Sequence, residues 1–318
     1  MTRFRLRPLG NGHIHDTYLV EEEDRTYRLV LQKINQRIFS DPKKLISQTL
    51  RVMAHLKSKN VLLVPDLVHS KSGRSLEKLD GSHWRAWTYV NDSRTLDPIT
   101  SLIQAENAAE AFGLFQNCMS DLARPALEEP IMGFLQLNSY LIAYQAVRAR
   151  SPKELDDLIE SNLWLAERFL SRDAVIHGDC KIDNLLFHER EDSVKAVLDL
   201  DTVMQGHWAW DFGDLVRSLW SGEKNIDEAL FVSALKGFLR GAPDRNYSVE
   251  DFAHAPIYIM FMLGVRFLTD HLQGDQYFKV QHTGENLVRA REQFSLFEEC
   301  LSRSESLLRL AENNILDR

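Results

Sequence analysis

The chain has 318 residues, 44% of them apolar and 9% aromatic, enough for one large core or two modest ones and too much for a disordered chain. A formal charge of −8 argues against a non-specific binder of nucleic acid or of anionic membranes, which needs a basic surface, though it leaves room for a local basic pocket. Cys118, Cys180 and Cys300 lie far apart with no metal-ligand spacing around them, so reduced thiols and a cytoplasmic location are expected rather than a disulfide framework.

The opening MTRFRLRPLGNG carries arginines but no apolar run, and no signal peptide is expected. HDTYLVEEEDRTYRLVLQKI alternates apolar and polar residues on either side of a charged turn at Glu22–Arg25, which predicts a β-hairpin. A helix follows, with Asp41 as N-cap, Pro42 at its first position and Leu45, Ile46, Thr49, Leu50 and Met53 on its apolar face. LLVPDLVHS and HWRAWTYV read as strands, the second entered through the turn LDGS.

After NDSRTLD the character changes to long amphipathic helices, with Ala108, Phe112, Phe115, Met119 and Leu122 at helical spacing. A capping box at Ser151, Pro152 and Glu154 opens a further helix, whose buried face continues through Leu155, Leu158, Ile159, Leu163, Ala166 and Leu170. Strand signals interrupt the helical part at AVIHGD and at VKAVLDLDTV, Val194 to Val203. From about residue 225 onward the chain is again mainly helical. PIYIMFMLGV, Pro256 to Val265, is too short to span a bilayer and reads as a buried core helix. The order predicts a small β-rich unit at residues 1–90 and a larger helical unit at residues 91–318, with a ligand cleft between them.

The chemistry concentrates in VIHGDCKIDNLLFH. Asp179, Lys181 and Asn184 fall in the turn between two short strands, and Asp199 and Asp201 end a third. Two acids spaced by one residue on a strand point to the same face, so the loop and strand together can hold a divalent cation with hard oxygen ligands. His-x-Asp-x-x-x-x-Asn is the spacing of a kinase catalytic loop, where the Asp takes the substrate hydroxyl proton and the Asn reaches Mg²⁺. Lys181 could neutralise a γ-phosphate as a point charge.

HGDCKIDN, followed by LDLDT and WDFGDLVRS, resembles the aminoglycoside phosphotransferase and choline kinase superfamily. The resemblance implies an α+β, two-lobed protein-kinase-like fold with ATP and Mg²⁺ as cofactors. Asp179 would be the catalytic carboxylate, Asn184 and Asp199 the metal ligands, and His177 and Asp211 braces of the loop. Gly10 and Gly12 of the turn LGNGHIHDTY, the strand residue Gln32 or Lys33, and Tyr89 at the hinge would face the nucleotide. A narrower similarity, to N-acetylhexosamine 1-kinases, rests on GNGHIHDTY, LQKIN, DLDTVMQG and VRFLTDHLQGDQYFK. It implies a sugar or amino sugar as substrate, held by Arg266 and Tyr277, with His13, Asp16 and Asp201 as further candidates.

Some features depart from that pattern. The helix DPKKLISQTLRVMAHLK has no Glu to pair with a strand lysine, and Gln48 is the candidate substitute. Cys180 lacks a partner base and reads as an ordinary core thiol. Asp183 reads equally as a solvated loop charge, and Asp211 and Asp214 as a helix-start cap and brace rather than a metal motif. The leading expectation is a sugar 1-kinase. The alternatives are a kinase of an aminoglycoside, choline or amino alcohol, a pseudokinase scaffold, and, more distantly, a metal-dependent hydrolase.

Overall fold

The computed structural model describes residues 3–10, 14–23, 27–96, 98–220, 226–243 and 245–316. Gly12, His13 and the Arg25 end of the hairpin turn therefore lie outside the described residues. The alternating segments form β1 (Phe4–Pro8), β2 (Asp16–Glu22) and β3 (Arg28–Lys33), and the expected hairpin pairs Thr17 with Gln32 and Leu19 with Val30. A helix, α1 (Pro42–Lys59), leads to β4 (Leu67–Val68), β5 (Glu77–Leu79) and β6 (Ser82–Thr88). The antiparallel sheet runs β1-β2-β3-β6-β4, with β5 on β6.

Asp41 caps α1 as expected, its Oδ1 accepting the N–H groups of Lys43 and Lys44 at 3.1 and 3.0 Å. Leu45, Ile46, Thr49 and Met53 are buried with Val52 and Leu56, whereas Leu50 is exposed because it falls outside that stripe. The outer side of α1 is fastened to the segment after the next helix: Lys59 and His55 pair with Asp121. Gln48 Oε1 accepts the N–H of Glu128 at 2.7 Å while its amide donates to the Glu128 carbonyl at 3.2 Å. Gln48 is thus occupied away from the sheet and does not replace the missing helix glutamate.

After β6 come β7 (Ser93–Arg94), α2 (Leu102–Met119), α3 (Leu137–Gln145) and α4 (Lys153–Ser161). No side chain caps α4, so the expected box at Ser151 does not form. The helix stops at Asn162, and the 3₁₀ turn after it has a different phase: Leu155, Ile159 and Leu165 are buried, but Leu170 is 66% exposed. Next are β8 (Ala174–Ile176), β9 (Leu185–His188), β10 (Val194–Val197) and β11 (Met204–Gly206). The chain continues through α5 (Trp208–Leu219), α6 (Glu228–Gly241), α7 (Val249–Gln273), α8 (Glu285–Ser302) and α9 (Ser304–Leu316).

One apolar core runs from α1 and Trp87 into these helices. Helices α2 and α6 approach closely enough that a Cβ on Gly237 would sit 1.9 Å from the Glu106 carbonyl oxygen, which is why glycine stands there. Helix α7 is longer than the apolar run alone suggests, and by length and composition it could cross a bilayer. Yet 83% of its apolar window is buried within the protein, against α3, α5, α8 and α9.

Candidate active site

The loop His177–Asn184 leaves β8, which pairs antiparallel with β11 through Ile176 and Met204. Asp211, in the first turn of α5, holds its start: the carboxylate accepts the N–H of His177 and of Gly178, each at 2.8 Å, and the amide of Gln116 at 2.8 Å. Burial pushes the Asp211 carboxyl up despite those donors. Asp211 does not cap the helix, because the N-cap is His207, whose Nδ1 accepts the N–H of Ala209. His177 is buried edge-on against Phe112 and Phe115, with Nε2 2.8 Å from the Leu198 carbonyl. Gly178 has φ +80°, and a Cβ there would meet the Thr202 carbonyl oxygen at 2.7 Å. The position requires glycine on both counts.

The loop so fixed presents Asp179. Its Oδ2 accepts from Asn184 Nδ2 at 2.6 Å and lies 3.2 Å from Lys181 Nζ. Burial alone would raise the Asp179 carboxyl; Lys181, His177 and the Asn184 amide outweigh it and hold it below the usual range. Asp179 in turn raises Lys181, against the opposing effect of burial. With its amide nitrogen turned to Asp179, Asn184 keeps an Oδ1 that takes no hydrogen bond from the described residues. Cys180 is buried, and its thiol is pushed well up by burial and by the acids around it, as suits a core thiol.

The two acids after β10 do not share a strand face. The strand ends at Val197, Asp199 takes φ 55° and ψ 66°, and Leu200–Thr202 forms a 3₁₀ turn. Left-handed backbone breaks the two-residue alternation and costs a non-glycine residue roughly 1–2 kcal/mol. The Asp199 carboxyl is pushed up by burial and by the charges of Asp201 and Asp179. That accumulation of negative charge, with the open Asn184 Oδ1, fits one hard divalent cation completed by phosphate oxygens. A cage of three or more His, Cys, Asp or Glu side chains is absent among the described residues.

Asp201 is not offered to a substrate, contrary to expectation. Its oxygens receive Arg85 Nη1 and Nη2 at 2.6 Å each, and Oδ2 lies 2.7 Å from His15 Nε2. His15 Nδ1 accepts the Asn35 N–H at 3.1 Å, so the ring proton stands on Nε2 and is donated to Asp201. Burial works against the Asp201 charge, but Arg85 and His15 hold its carboxyl far below the usual range. Neither Arg85 nor His15 was expected at the site. The available signal was an arginine on the same strand parity as Trp87, the inward face of β6, and directly opposite Gln32.

Gln32 also lies on that inner face, where its Oε1 accepts from Arg85 Nε at 3.0 Å and from Trp87 Nε1 at 2.7 Å. By strand alternation Lys33 faces the other side of the sheet from Gln32, whose amide also donates to Thr17 Oγ1 at 3.2 Å. Gly10 has φ +73° in the turn after β1. Tyr89 follows β6, its ring covered by the Arg28 guanidinium at 4.1 Å. Asp16 forms an exposed ion pair with Lys279 at 2.9 Å.

On the helical side, Arg266 of α7 has its guanidinium within 5.5 Å of the ring centroids of Phe134, Tyr140, Tyr277 and Phe278. It has no carboxylate partner among the described residues, though burial opposes its charge and the fields of Tyr140, Tyr277, Asp179 and Asp214 favour it. The buried hydroxyl of Tyr277 has no hydrogen-bond partner among the described residues. The loop carrying Tyr277 is built on Asp270, whose carboxylate accepts the N–H groups of Gln276, Tyr277 and Phe278 at 2.8, 2.8 and 3.0 Å and the Asn286 amide at 2.9 Å. Asp270 was not anticipated; TDH inside an apolar helix was its only trace.

An antiparallel sheet with one helix, a larger helical part, a braced His-Gly-Asp loop and a following acid-bearing turn define a two-lobed protein-kinase-like fold. The profile of the phosphotransferase enzyme family, APH, matches residues 5–246, and the chain belongs to that family. An aminoglycoside phosphotransferase from Alicyclobacillus acidocaldarius has a similar structure, with a TM-score of 0.65 at 13% identity over 96% of this chain and 92% of that one. Choline kinase from Cryptosporidium parvum gives 0.63 at 12% over 98% and 93%. A microcompartment-associated aminopropanol kinase gives 0.60 at 19% over 97% and 95%. At these identities the likeness is one of fold. Among curated proteins, 83 residues are 34% identical to acyl-CoA dehydrogenase family member 11 of Mus musculus, which is 25% of this chain and only 10% of that protein.

Proposed function

We propose that the chain transfers the γ-phosphoryl group of ATP, with Mg²⁺, to a hydroxyl of a small neutral acceptor, the anomeric hydroxyl of an N-acetylhexosamine or hexose. Asp179 orients that hydroxyl and accepts its proton as the new O–P bond forms, and the leaving oxygen departs with ADP. Asn184 Nδ2 and Lys181 keep Asp179 ionised and in one orientation. Mg²⁺, when bound, neutralises charge on the phosphates; Asn184 Oδ1 and Asp199 would hold it. Lys181 adds a point charge beside the transferred group.

The observation that carries the neutral-acceptor reading is Arg266. A cation in an aromatic ring of four, without a carboxylate partner among the described residues, sits in the field of Asp179. Its unspent N–H donors suit hydroxyl or amide oxygens, whereas a positively charged acceptor would meet like charge. The unpartnered Tyr277 hydroxyl adds a second donor-acceptor group on the same wall. An amine-bearing acceptor is the second reading, favoured by Asp214, whose one oxygen pairs with Arg217 at 2.9 Å and which adds negative charge near the loop. Incubation with Mg·ATP and a panel of free sugars, amino sugars, choline and aminoglycosides, with ADP release followed and the product located by NMR, separates the two. A hexose 1-phosphate supports the proposal, and turnover confined to amines rejects it.

A further inference from the structure

In the inner layer of the sheet the positive charge stands on β6, not on β3. Arg85 is 2% exposed, and its guanidinium is fully committed: two nitrogens to Asp201 and Nε to Gln32. A lysine at position 32 would place a second cation against it, which accounts for glutamine there. The guanidinium also packs over Trp87, whose Nε1–H shares the same Gln32 oxygen. Nothing in this arrangement leaves Arg85 free to touch a phosphate. Its reach is instead to Asp201, in the turn that carries Asp199.

That turn is pinned on both sides of Asp199. Leu198 N–H donates to the Asn184 carbonyl at 2.8 Å, and the Leu198 carbonyl lies 2.8 Å from His177 Nε2. Thr202 Oγ1 donates to the His177 carbonyl at 2.9 Å. These anchors all come from the His177–Asn184 loop; from the N-terminal unit, the Leu63 carbonyl accepts the N–H of Val197 at 3.0 Å just before the turn, and Arg85 and His15 grip Asp201 within it. A strained left-handed residue persists only where its neighbours over-determine it, and Asp199 is such a residue.

We propose that Arg85, with His15, is a positioning residue for the cation site. By holding Asp201 it keeps Asp199 in its left-handed conformation, and it couples the N-terminal sheet to that site where related folds use a strand lysine and a helix glutamate. The inference rests on the reading of Asp199 as a cation ligand, so the test separates the two.

Binding of AMP-PNP is measured with and without Mn²⁺, the bound Mn²⁺ being read by electron paramagnetic resonance, for the wild type, Arg85→Lys, the double variant Arg85→Met/Asp201→Leu, and Asp199→Asn. The double variant removes both buried charges together, which protects the fold better than removing one. The expected result is that Mn²⁺ strengthens AMP-PNP binding in the wild type and that this gain falls at least tenfold in both Arg85 variants. Metal-free AMP-PNP affinity should stay within about threefold, since Arg85 does not touch phosphate. A folded double variant with an undiminished gain would overturn the proposal, and so would failure of both Arg85 variants to fold, which would make the pair purely structural. Loss of the gain in Asp199→Asn alone rejects only this inference. An intact gain in Asp199→Asn rejects the metal reading itself, and the inference with it.

Discussion

Arg85 and Asp201 form a bidentate pair, both contacts 2.6 Å, in which the side chains are 1% and 2% exposed and the partners come from the N-terminal sheet and from the turn after β10. A buried pair broken on one side leaves an uncompensated charge, at a cost of about 3–5 kcal/mol. Arg85→Met should therefore lower unfolding stability by roughly that amount, and Gln32→Lys should also destabilise by crowding two cations on one carboxylate. Urea unfolding followed by circular dichroism checks both. A change below about 1 kcal/mol in Arg85→Met would show that the pair contributes little.

Gly178→Ala tests the loop geometry. The substitution adds a Cβ at a φ of +80° and 2.7 Å from the Thr202 carbonyl oxygen. The loss expected is at least about 1–2 kcal/mol of stability, with a larger fall in turnover because Asp179 is the next residue. Thermal unfolding and a steady-state rate on the same preparation measure the two effects.

Asp270→Ala removes the acceptor of three backbone N–H groups and of the Asn286 amide. The loop bearing Tyr277 and Phe278 should loosen, raising the acceptor KM about tenfold or more while the KM for ATP moves little. An equal rise in both would indicate global damage instead of a displaced acceptor wall.

Arg266→Met keeps the apolar stem and removes the charge. The acceptor KM should rise by about tenfold or more, and the ratio of kcat/KM for cationic over neutral acceptors should increase, because the like charge that disfavours amines is gone. Competition kinetics with glucosamine and N-acetylglucosamine read that ratio directly.

Much of this organisation was legible in the sequence because it is local. The β2–β3 hairpin follows from alternation, α1 from Asp41 and Pro42, and the His177–Asn184 loop from fixed spacing between two apolar runs. What was illegible depends on partners far apart in the chain. Arg85 meets Asp201 across 116 positions and His15 meets it across 186, and strand parity alone does not name such partners. The pairing of Asp199 and Asp201 on one face failed for a related reason: a left-handed residue ends the strand period, and no glycine marks it. Likewise the face of α4 was extended too far because nothing in LIESNLWL signals the shift from an α-helix to a 3₁₀ turn.

The most direct test of the central claim compares wild type with Asp179→Asn. ADP release is measured with Mg·ATP and whichever acceptor of the panel is turned over fastest, and ATP binding is measured by calorimetry on the same samples. With Asp179 as the residue that orients the acceptor and takes its proton, turnover should fall by about 10²–10⁴-fold while ATP affinity stays within about threefold. Near-full turnover in Asp179→Asn would contradict the account.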